Sequence, residues 1–546
     1  MSYSKHLPIW LVIVFAVLLS LPAVGLAYPH PVSGTPLLPP VRTNAPLASS
    51  QVSTVAFSLL GKSVTTLPLQ EEFYVTRFSD SGIREVTANL RYPSTQGASG
   101  PLNIYVETGA SVSESIIDSI SREFEELIYP IIHDYFGEES DIDDNGQITL
   151  LITDLDADHI SGYFDSRNQY SNKWMSSSNE REMIYINSRM LRYGLDVVLQ
   201  AIAHEFTHLV QWNYNWNYSP DNIWFTEGMA MYGTYMVGRV SGQFKYWDFG
   251  SIHAFLRAYN STCLVEWKQR YEDYGAAYAY MLYLSQNYSQ GHLRRLFQDP
   301  RGNRLEALAE YLRGYDTTLD AVLADWAVAN AFDLPGGRFG YSDISTGLDV
   351  AAFPPLAKGS FGLAHFGIRY WRIDDRDKGG LSIKLRAQPG LAARLVEKGI
   401  DGKWRVRELT ENGNELHYEG DPKAQVTESI LVVANTGDDT SVDIEISKAT
   451  MPTTAMEATI IPDLLLPERY AVLIKASAGL DDPPTIEVSG MGRQDNLIIG
   501  QSWPQQGLYL TLPFDLKALG GSPVLLQVTG SINGQEITLR KTISPR

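Results

Sequence analysis

The chain has 546 residues, too many for a single domain, and we expect about two to four domains. With 44% hydrophobic and 20% charged residues, its composition is that of a globular protein. The formal net charge is −19 and no long run carries one sign, which argues against a nucleic-acid partner because nucleic acids are bound through basic patches. The charge suits an exported protein but identifies no partner.

Residues 1–27 have the pattern of a secretory signal peptide. A basic N-terminus precedes an apolar run from Leu7 to Leu21, and small residues follow that run. The alternative is an uncleaved membrane anchor, but the run is short for a span and lies between Pro8 and Pro22. We therefore expect cleavage, a secreted protein and no membrane span after cleavage.

Residues 28–100 are predicted to form an N-terminal lead. Residues 28–50 are rich in Pro, Ser and Ala without periodicity, which indicates a flexible segment. Alternating runs at 51–59, 72–78 and 86–92 indicate strands. Two interpretations stay open for this region, a small β domain or a pro-segment that is removed.

An acidic turn follows a strand at Leu102–Glu107 and a long helix predicted over Ser111–Tyr135. The turn matches the first half of an EF-hand loop through Asp141, Asp143, Asn145 and Gly146. The twelfth loop position is Ile152 where an EF-hand has Glu, so the stretch is no EF-hand. One interpretation is a structural Ca²⁺ site, and the other is an ordinary Asx-rich turn. Further oxygens for a calcium ion would come from Asp154, Asp156 and Asp158.

The stretch Ala203–Val210 carries the motif H-E-x-x-H. On a helix, residues i and i+4 share a face, so His204 and His208 can aim two imidazoles at one metal ion. Glu205 lies beside them, where it can hold a metal-bound water instead of the metal. Zinc lowers the pKa of such a water, and a carboxylate can take its proton as the water attacks a carbonyl.

The residues around this motif indicate that its helix is buried. Apolar side chains would cover most of the helix circumference: Val197, Val198, Leu199, Ile202, Phe206, Leu209 and Val210. Two histidines and a glutamate in a buried helix need partners, and a metal ion supplies one. The alternative is a polar stretch on a half-exposed helix.

Glu227 is the candidate third ligand. Ser219 and Pro220 form a good helix start, and Glu227 follows within an otherwise apolar helix. A lone glutamate on an apolar helix face is costly unless it is paired. The alternative is a glutamate on the helix surface.

The two stretches H-E-F-T-H and W-F-T-E-G-M-A-M-Y resemble the gluzincins, the thermolysin-like metallopeptidases with a His-His-Glu zinc site. Within them the chain looks closest to the secreted hyicolysin-type peptidases. The resemblance implies His204, His208 and Glu227 as zinc ligands and Glu205 as the catalytic base. Thermolysin-like enzymes often have an acidic residue four positions after the ligand Glu, where this chain has Met231. The partner that orients the first histidine is therefore unidentified.

The resemblance covers roughly residues 100–330, under half of the chain. It implies that strand 182–187 is the edge strand bordering the substrate cleft, where an extended peptide could pair through main-chain hydrogen bonds. It also implies a tyrosine or histidine that hydrogen-bonds the oxyanion. Tyr274 and Tyr278 are the candidates, although most tyrosines between 271 and 288 are expected to pack in the core. His253 and His292 are more remote candidates.

The sequence pattern changes after two further helices within 305–331. Short alternating runs between Gly, Asp, Asn and Pro predict a β-sandwich at 340–452, a linker at 452–467 and an immunoglobulin-like module at 468–546. Neither β domain has a catalytic motif, so accessory roles in adhesion, substrate docking or stability are expected.

Together these patterns predict an exported zinc endopeptidase that acts on protein or peptide substrates. Its fold class would be multidomain, with an α+β thermolysin-like catalytic domain at 101–335 followed by the two β-sandwich domains. The oligomeric state is not indicated. One alternative is a zinc aminopeptidase, although no Gly-rich exopeptidase signature precedes His204. The other is an inactive zinc-stabilised adhesin, although the base Glu205 is present.

Overall fold

A computed structural model gives the fold of a large part of the chain. The residues it describes are 32–38, 68–92, 100–214, 219–289, 292–335, 337–356, 359–373, 381–386, 389–412, 415–420, 425–448, 456–463, 469–476, 480–490, 493–515, 517–519, 524–532 and 535–543. The predicted signal peptide and the alternating run at 51–59 lie outside these ranges. Among the described helices, none has both the length and the apolar character that crossing a membrane requires.

The chain divides into two compact units. The first comprises Met1–Arg376, Lys384–His417 and Val426–Glu445, and the second comprises Asp377–Ile383, Tyr418–Gln425 and Ile446–Arg546. Helices and several β-sheets occur together, which fits the predicted multidomain α+β class.

A seven-stranded sheet underlies the region of the H-E-x-x-H motif. Its strands are β1 (Val32–Ser33), β2 (Gln70–Thr76), β3 (Ile83–Tyr92), β4 (Leu102–Glu107), β5 (Ile148–Thr153), β6 (Ile160–Phe164) and β7 (Met183–Asn187). Their order is β1-β6-β7-β5-β4-β3-β2. Because β2 and β3 pair onto β4, the sheet crosses the boundary predicted at residue 100.

The edge of this sheet differs from the prediction. The run at 182–187 was expected to border the cleft, but β7 lies inside the sheet with β5 on one side and β6 on the other. The chain folds β6 antiparallel onto β7, so β6 lies next to β7 on this side of the sheet. Its outer side in turn pairs with β1 in parallel. The outermost described strand on this side of the sheet is therefore β1, followed by β6.

Nine α-helices are described. They are α1 (Glu114–Glu123), α2 (Tyr129–Phe136), α3 (Leu195–Tyr214), α4 (Ile223–Ser241), α5 (Gly250–Arg257), α6 (Tyr271–Asn287), α7 (Arg294–Phe297), α8 (Arg304–Arg313) and α9 (Leu319–Phe332). The predicted long helix over Ser111–Tyr135 is interrupted by a π-helical segment at Phe124–Ile128. Pro130 explains this change, because it has no backbone N–H to donate to the carbonyl four residues earlier.

Helix α3 lies in the main hydrophobic core. It packs against β6 and β7 on one side and against α4 on another, and α4 packs in turn against α6. The side chains from Val198 to Trp212 on α3 are almost all buried. The apolar flanks that predicted a buried helix therefore contact neighbours around most of its circumference, and the polar groups of the motif lie in the interior.

Two antiparallel sheets follow in the region predicted as the first β domain. Their strands are β8 (Gly359–Leu363), β9 (Ile368–Arg372), β10 (Leu381–Arg386), β11 (Leu391–Gly399), β12 (Trp404–Glu408), β13 (Thr410–Asn412), β14 (Glu415–Glu419), β15 (Val426–Asn435) and β16 (Thr440–Lys448). The orders are β13-β14-β10-β16-β8 and β12-β11-β15-β9. Helix α9 packs on β11 and β15, where the buried Asp325 pairs with Arg394 at 2.8 Å. These strands therefore extend the core of the first unit.

The last strands form two more sheets around a separate core. They are β17 (Met456–Pro462), β18 (Arg469–Ala476), β19 (Thr485–Gly490), β20 (Arg493–Asn496), β21 (Ile499–Trp503), β22 (Leu508–Thr511), β23 (Phe514–Asp515), β24 (Val524–Ile532) and β25 (Gln535–Ile543). The orders are β17-β18-β22-β21, with β23 on β18, and β20-β19-β24-β25. Strand β17 falls within the stretch predicted as a linker. Buried side chains from both sheets share one hydrophobic cluster.

Candidate active site

Helices α3 and α4 bring three ligand-type side chains together. His204 Nε2 and His208 Nε2 lie 3.1 Å apart. Glu227 reaches across from α4, with Oε2 at 3.1 Å from His204 Nε2 and Oε1 at 3.1 Å from His208 Nε2. Zinc bound at about 2.0–2.1 Å with tetrahedral angles separates its donors by about 3.3–3.4 Å. The triangle of donors therefore fits a tetrahedral zinc ion with one position left open.

The distance between α3 and α4 depends on a glycine. A Cβ atom at Gly233 would lie 2.3 Å from Oγ1 of Thr207. Thr207 is fully buried on α3 and donates its hydroxyl to the carbonyl of Ala203 at 2.7 Å, so it has little freedom to move aside. The absence of a side chain at Gly233 lets α4 approach closely enough for Glu227 to reach both histidines.

The charges of the three groups complement each other. Burial raises the pKa of Glu227, but the charge of His208 and the hydrogen bonds to both imidazoles have the larger effect. The net result is a pKa of about 2. Burial lowers the pKa of His208, but the charges of Glu227 and Glu205 and the polar contacts of the imidazole with Glu227 and Gln211 together raise it above its ordinary value. Glu227 is thus an anionic carboxylate facing two imidazoles, and two imidazoles with one carboxylate are a donor set that zinc prefers.

Glu205 lies beside this triangle and has no exposed surface. Its Oε2 accepts a hydrogen bond of 2.9 Å from the hydroxyl of Thr35. Its Oε1 is buried, and among the described residues it has no hydrogen-bond partner. Burial raises the pKa of Glu205, although the nearby histidines oppose this. A buried carboxylate oxygen without a partner is suited to accept a proton from a water molecule beside the metal position.

Strand β6 can pass close to Glu205 because it has a glycine at the crossing point. A Cβ atom on Gly162 would lie 2.5 Å from the carbonyl oxygen of Tyr185 and 3.3 Å from Cγ of Glu205. Any larger residue would push β6 away from α3. This glycine therefore sets the spacing between the cleft edge and the base.

A cavity of about 400 Å³ opens next to His204. Its wall is largely apolar and aromatic, and includes Tyr193, Val197, Met231, Tyr246, Tyr271, Tyr274 and Tyr278. Both predicted oxyanion candidates are thus in the wall. The hydroxyl of Tyr274 donates to the main-chain carbonyl of Ser33 at 3.1 Å. The exposed His253 and His292 are not among the residues that line this cavity.

Two features of the site were missed by sequence reasoning. Residues 28–50 were expected to be flexible, yet Val32–Leu38 is ordered beside β6 and Thr35 contacts Glu205. No local signal marks this segment, because its composition is that of a linker. The other feature is Gln211, a buried polar side chain that contributes to raising the pKa of His208. Its signal was a polar residue one turn after His208 in an otherwise apolar helix.

A second cluster of carboxylates lies in the acidic turn. Oxygen atoms of Asp141, Asp143 and Glu182 lie within 4.8 Å of one another. The amide of Asn145 takes part in the turn itself, since Nδ2 donates to Asp143 at 2.7 Å and Oδ1 accepts from the N–H of Gln147.

The three later aspartates do not join this cluster. Asp154, Asp156 and Asp158 each form an ion pair with Arg189. The described carboxylate cluster thus consists of Asp141, Asp143 and Glu182, while the three later aspartates share the guanidinium of Arg189. The third carboxylate of the cluster is Glu182, the residue just before β7, which the sequence did not suggest as a ligand.

Comparison with known proteins relates the chain to metallopeptidases. The relative is "Neutral metalloprotease ShpI" of Staphylococcus hyicus, which is 26% identical over 221 residues. The match covers 36% of this chain and 48% of the relative, so the chain spans about half of that protein's length. No protein-family model matches the chain. A solved DUF4785 family protein from Legionella pneumophila aligns with 34% of this chain and 61% of its own at 9% identity and a TM-score of 0.15, too low for a conclusion about the fold.

The close contact of α3 and α4 gives a direct prediction. Gly233→Ala should lower the free energy of unfolding by about 1–3 kcal/mol, because the new methyl group overlaps Thr207. It should also weaken zinc binding by moving Glu227 away from the histidines. Urea unfolding and zinc titration measure the two effects.

Thr207→Ala is the matched variant, because it removes the atoms that the new methyl group meets. Added to Gly233→Ala, it should restore most of the lost stability, so the two changes should be strongly non-additive. Additive effects would show that this contact does not set the helix spacing.

Proposed function

We propose that the protein is a secreted zinc-dependent endopeptidase with a thermolysin-like catalytic domain. The observation that carries the proposal is the triangle of His204, His208 and Glu227 donors next to the buried, partly unpartnered carboxylate of Glu205. The relation to a neutral metalloprotease supports the same chemistry. The apolar run near the N-terminus supports export.

The zinc ligands would be His204, His208 and Glu227, and bound zinc would supply a Lewis acid for the scissile carbonyl and make a water molecule a stronger nucleophile. Glu205 accepts the proton of the attacking water and then gives it to the nitrogen of the leaving amine. The Tyr274 hydroxyl hydrogen-bonds the carbonyl oxygen as negative charge develops there. Burial of Glu205 raises its pKa, which makes its carboxylate a better proton acceptor than an exposed glutamate.

The substrate class follows from the cleft. The outer side of β6 can pair with an extended peptide, so main-chain hydrogen bonds would hold a protein or peptide substrate. The aromatic wall beside His204 would receive an apolar side chain of that substrate. Internal cleavage of N-terminally blocked peptides distinguishes this activity from that of an aminopeptidase, which needs a free amine.

Zinc binding is the first test of the proposal. His208→Ala removes one of three donors and should lower the zinc content of the purified protein well below one equivalent. His253→Ala is the control, since His253 is exposed and remote from the cavity wall. Metal analysis by mass spectrometry gives the result, and equal zinc content in both variants would show that the ligands are elsewhere.

Glu205→Gln tests the role of the base. The substitution keeps the size of the side chain and removes its basicity, so hydrolysis should fall by a factor on the order of 10² to 10⁴. Zinc content and thermal stability should stay close to those of the wild type. Loss of zinc together with activity would show that Glu205 is a ligand, and full activity would mean that α3 is not the catalytic centre.

We also propose that the acidic turn holds a structural Ca²⁺ ion between Asp141, Asp143 and Glu182. Glu182 is 1% exposed, and its Oε1 accepts from the N–H of Ile142 at 2.8 Å. Its Oε2 is buried, and it has no hydrogen-bond partner in the described part of the chain. A buried carboxylate oxygen that points into an acidic cluster is costly without a cation. Calcium prefers carboxylate oxygens of this kind.

Calcium should therefore stabilise the folded protein. An ion bound only to the native state adds about 2.7 kcal/mol when its free concentration is a hundred times Kd. Added calcium should raise the Tm of the wild type and of Asp144→Asn, a control in the same turn but outside the cluster. Glu182→Gln should remove this increase. The same calcium response in Glu182→Gln would contradict the site.

A further inference from the structure

The N-terminal segment Val32–Leu38 lies along the cleft edge of the sheet. Val32 and Ser33 pair in parallel with Ile160 and Gly162 of β6. The N–H of Val32 donates to the carbonyl of His159 at 2.9 Å, and the N–H of Gly34 donates to that of Gly162 at 2.8 Å. These are hydrogen-bonding groups that an extended peptide would use if it paired with β6.

The middle of this segment is seated closely. Ser33 is 4% exposed and Thr35 is 8% exposed. A Cβ atom on Gly34 would lie 2.5 Å from the ring of Phe78 and 3.0 Å from a methyl group of Ile160. The segment thus fits between the sheet and a neighbouring aromatic ring, which distinguishes it from a chain end lying loosely on the surface.

Thr35 connects the segment to the base. Its hydroxyl donates to Oε2 of Glu205 at 2.9 Å and accepts from the N–H of Phe164 at 2.9 Å. One side chain therefore engages both the catalytic carboxylate and a main-chain donor of the edge strand. Thr35 therefore occupies one of the two carboxylate oxygens of Glu205, next to the oxygen Oε1 that has no partner among the described residues.

The segment also fills the position of a substrate carbonyl. The Ser33 carbonyl accepts from the hydroxyl of Tyr274 at 3.1 Å, and Val32 and Ser33 line the cavity that includes His204. In the proposed mechanism, the hydroxyl of Tyr274 stabilises the oxyanion by a hydrogen bond. A main-chain carbonyl of the protein itself thus has the hydrogen bond that a substrate carbonyl would need.

We propose that Val32–Leu38 is an autoinhibitory strap, which holds the cleft closed until it leaves β6 and Glu205. This regulation rests on the proposed peptidase function of the same site. Release requires breaking the contacts of Val32, Gly34 and Thr35 with β6 and Glu205, by cutting the chain beyond the strap or by competition from a substrate. Strands β2 and β3 stay in place, because β2 pairs with β3 and β3 pairs with β4.

The test compares the full chain with a variant that lacks residues 32–38 and with Thr35→Val. Thr35→Val keeps the size of the side chain and removes the hydroxyl that contacts Glu205 and Phe164. The control is Thr410→Val, which removes an exposed hydroxyl on β13. Two quantities are measured, the hydrogen exchange of the amides in 160–164 and kcat/KM for an internally quenched, N-terminally blocked peptide.

We expect faster hydrogen exchange of the Phe164 amide in the deletion variant and in Thr35→Val, since both changes remove the acceptor of that amide. It also predicts a rise in kcat/KM on the order of tenfold for Thr35→Val, because one hydrogen bond to a charged group is lost. The deletion should give a larger rise, and the free peptide VSGTPLL, acetylated and amidated, should inhibit the deleted form. Thr410→Val should behave as the wild type in both measurements.

Unchanged exchange in the deleted form would show that the segment does not cover β6 in solution and would overturn the proposal. Faster exchange with unchanged kcat/KM would show that the segment covers the edge without competing with substrate, which also overturns it. If no form cleaves any peptide, the proposed peptidase function is wrong. The exchange data then still decide whether the strap occupies the edge, so the two failures are distinguishable.

Discussion

The candidate site depends on one constraint, the need to stabilise charge in a dry interior. Glu227 has no exposed surface and lies on an apolar helix, where an uncompensated carboxylate would be strongly destabilising. Two imidazoles from α3 face it at 3.1 Å across the contact between α3 and α4. Gly233 opposite Thr207 makes that closeness sterically allowed. The electrostatics of the site therefore rest on the packing of two helices.

The same constraint explains the surroundings of Glu205. A buried carboxylate needs donors, and one of its oxygens obtains a donor from Thr35, far away in sequence. The other oxygen is buried and has no hydrogen-bond partner among the described residues. An interior that makes Glu205 an effective base thus also makes it an attractive acceptor for the chain's own hydroxyl groups. A peptidase built this way is suited to regulation by a segment that supplies such a hydroxyl and withdraws it later.

Sequence reasoning succeeded where the relevant geometry is local. His204, Glu205 and His208 belong to one helix, and the four-residue spacing alone brings the two histidines to one face. Glu227 was named from a lone charge in an apolar helix and from a family resemblance, and the structure brings it to the two histidines. Tyr274 and Tyr278 were named only as members of a tyrosine-rich helix. Which of the two meets a carbonyl depends on the path of residues 32–35, which no local pattern reveals.

The errors concern contacts between residues distant in sequence. The run at 182–187 has the pattern of a strand, but whether a strand lies at an edge depends on which strand pairs beside it, and here β6 does. Asp154, Asp156 and Asp158 follow the acidic turn in sequence, but in the fold they pair with Arg189. Glu182 gave no signal because it reaches the acidic turn through the fold. Residues 32–38 were predicted to be flexible. A segment this short can pair in parallel with β6 without any hydrophobic periodicity, so its sequence gives no sign of the pairing.

The position of zinc in a crystal is the most direct measurement of the central claim. Anomalous diffraction recorded on both sides of the zinc absorption edge locates the ion without reference to activity. The account predicts one peak about 2.0–2.2 Å from Nε2 of His204, Nε2 of His208 and the carboxylate of Glu227, with Glu205 outside the ligand shell. A zinc peak at Asp141, Asp143 and Glu182, with none near the two histidines, would contradict it.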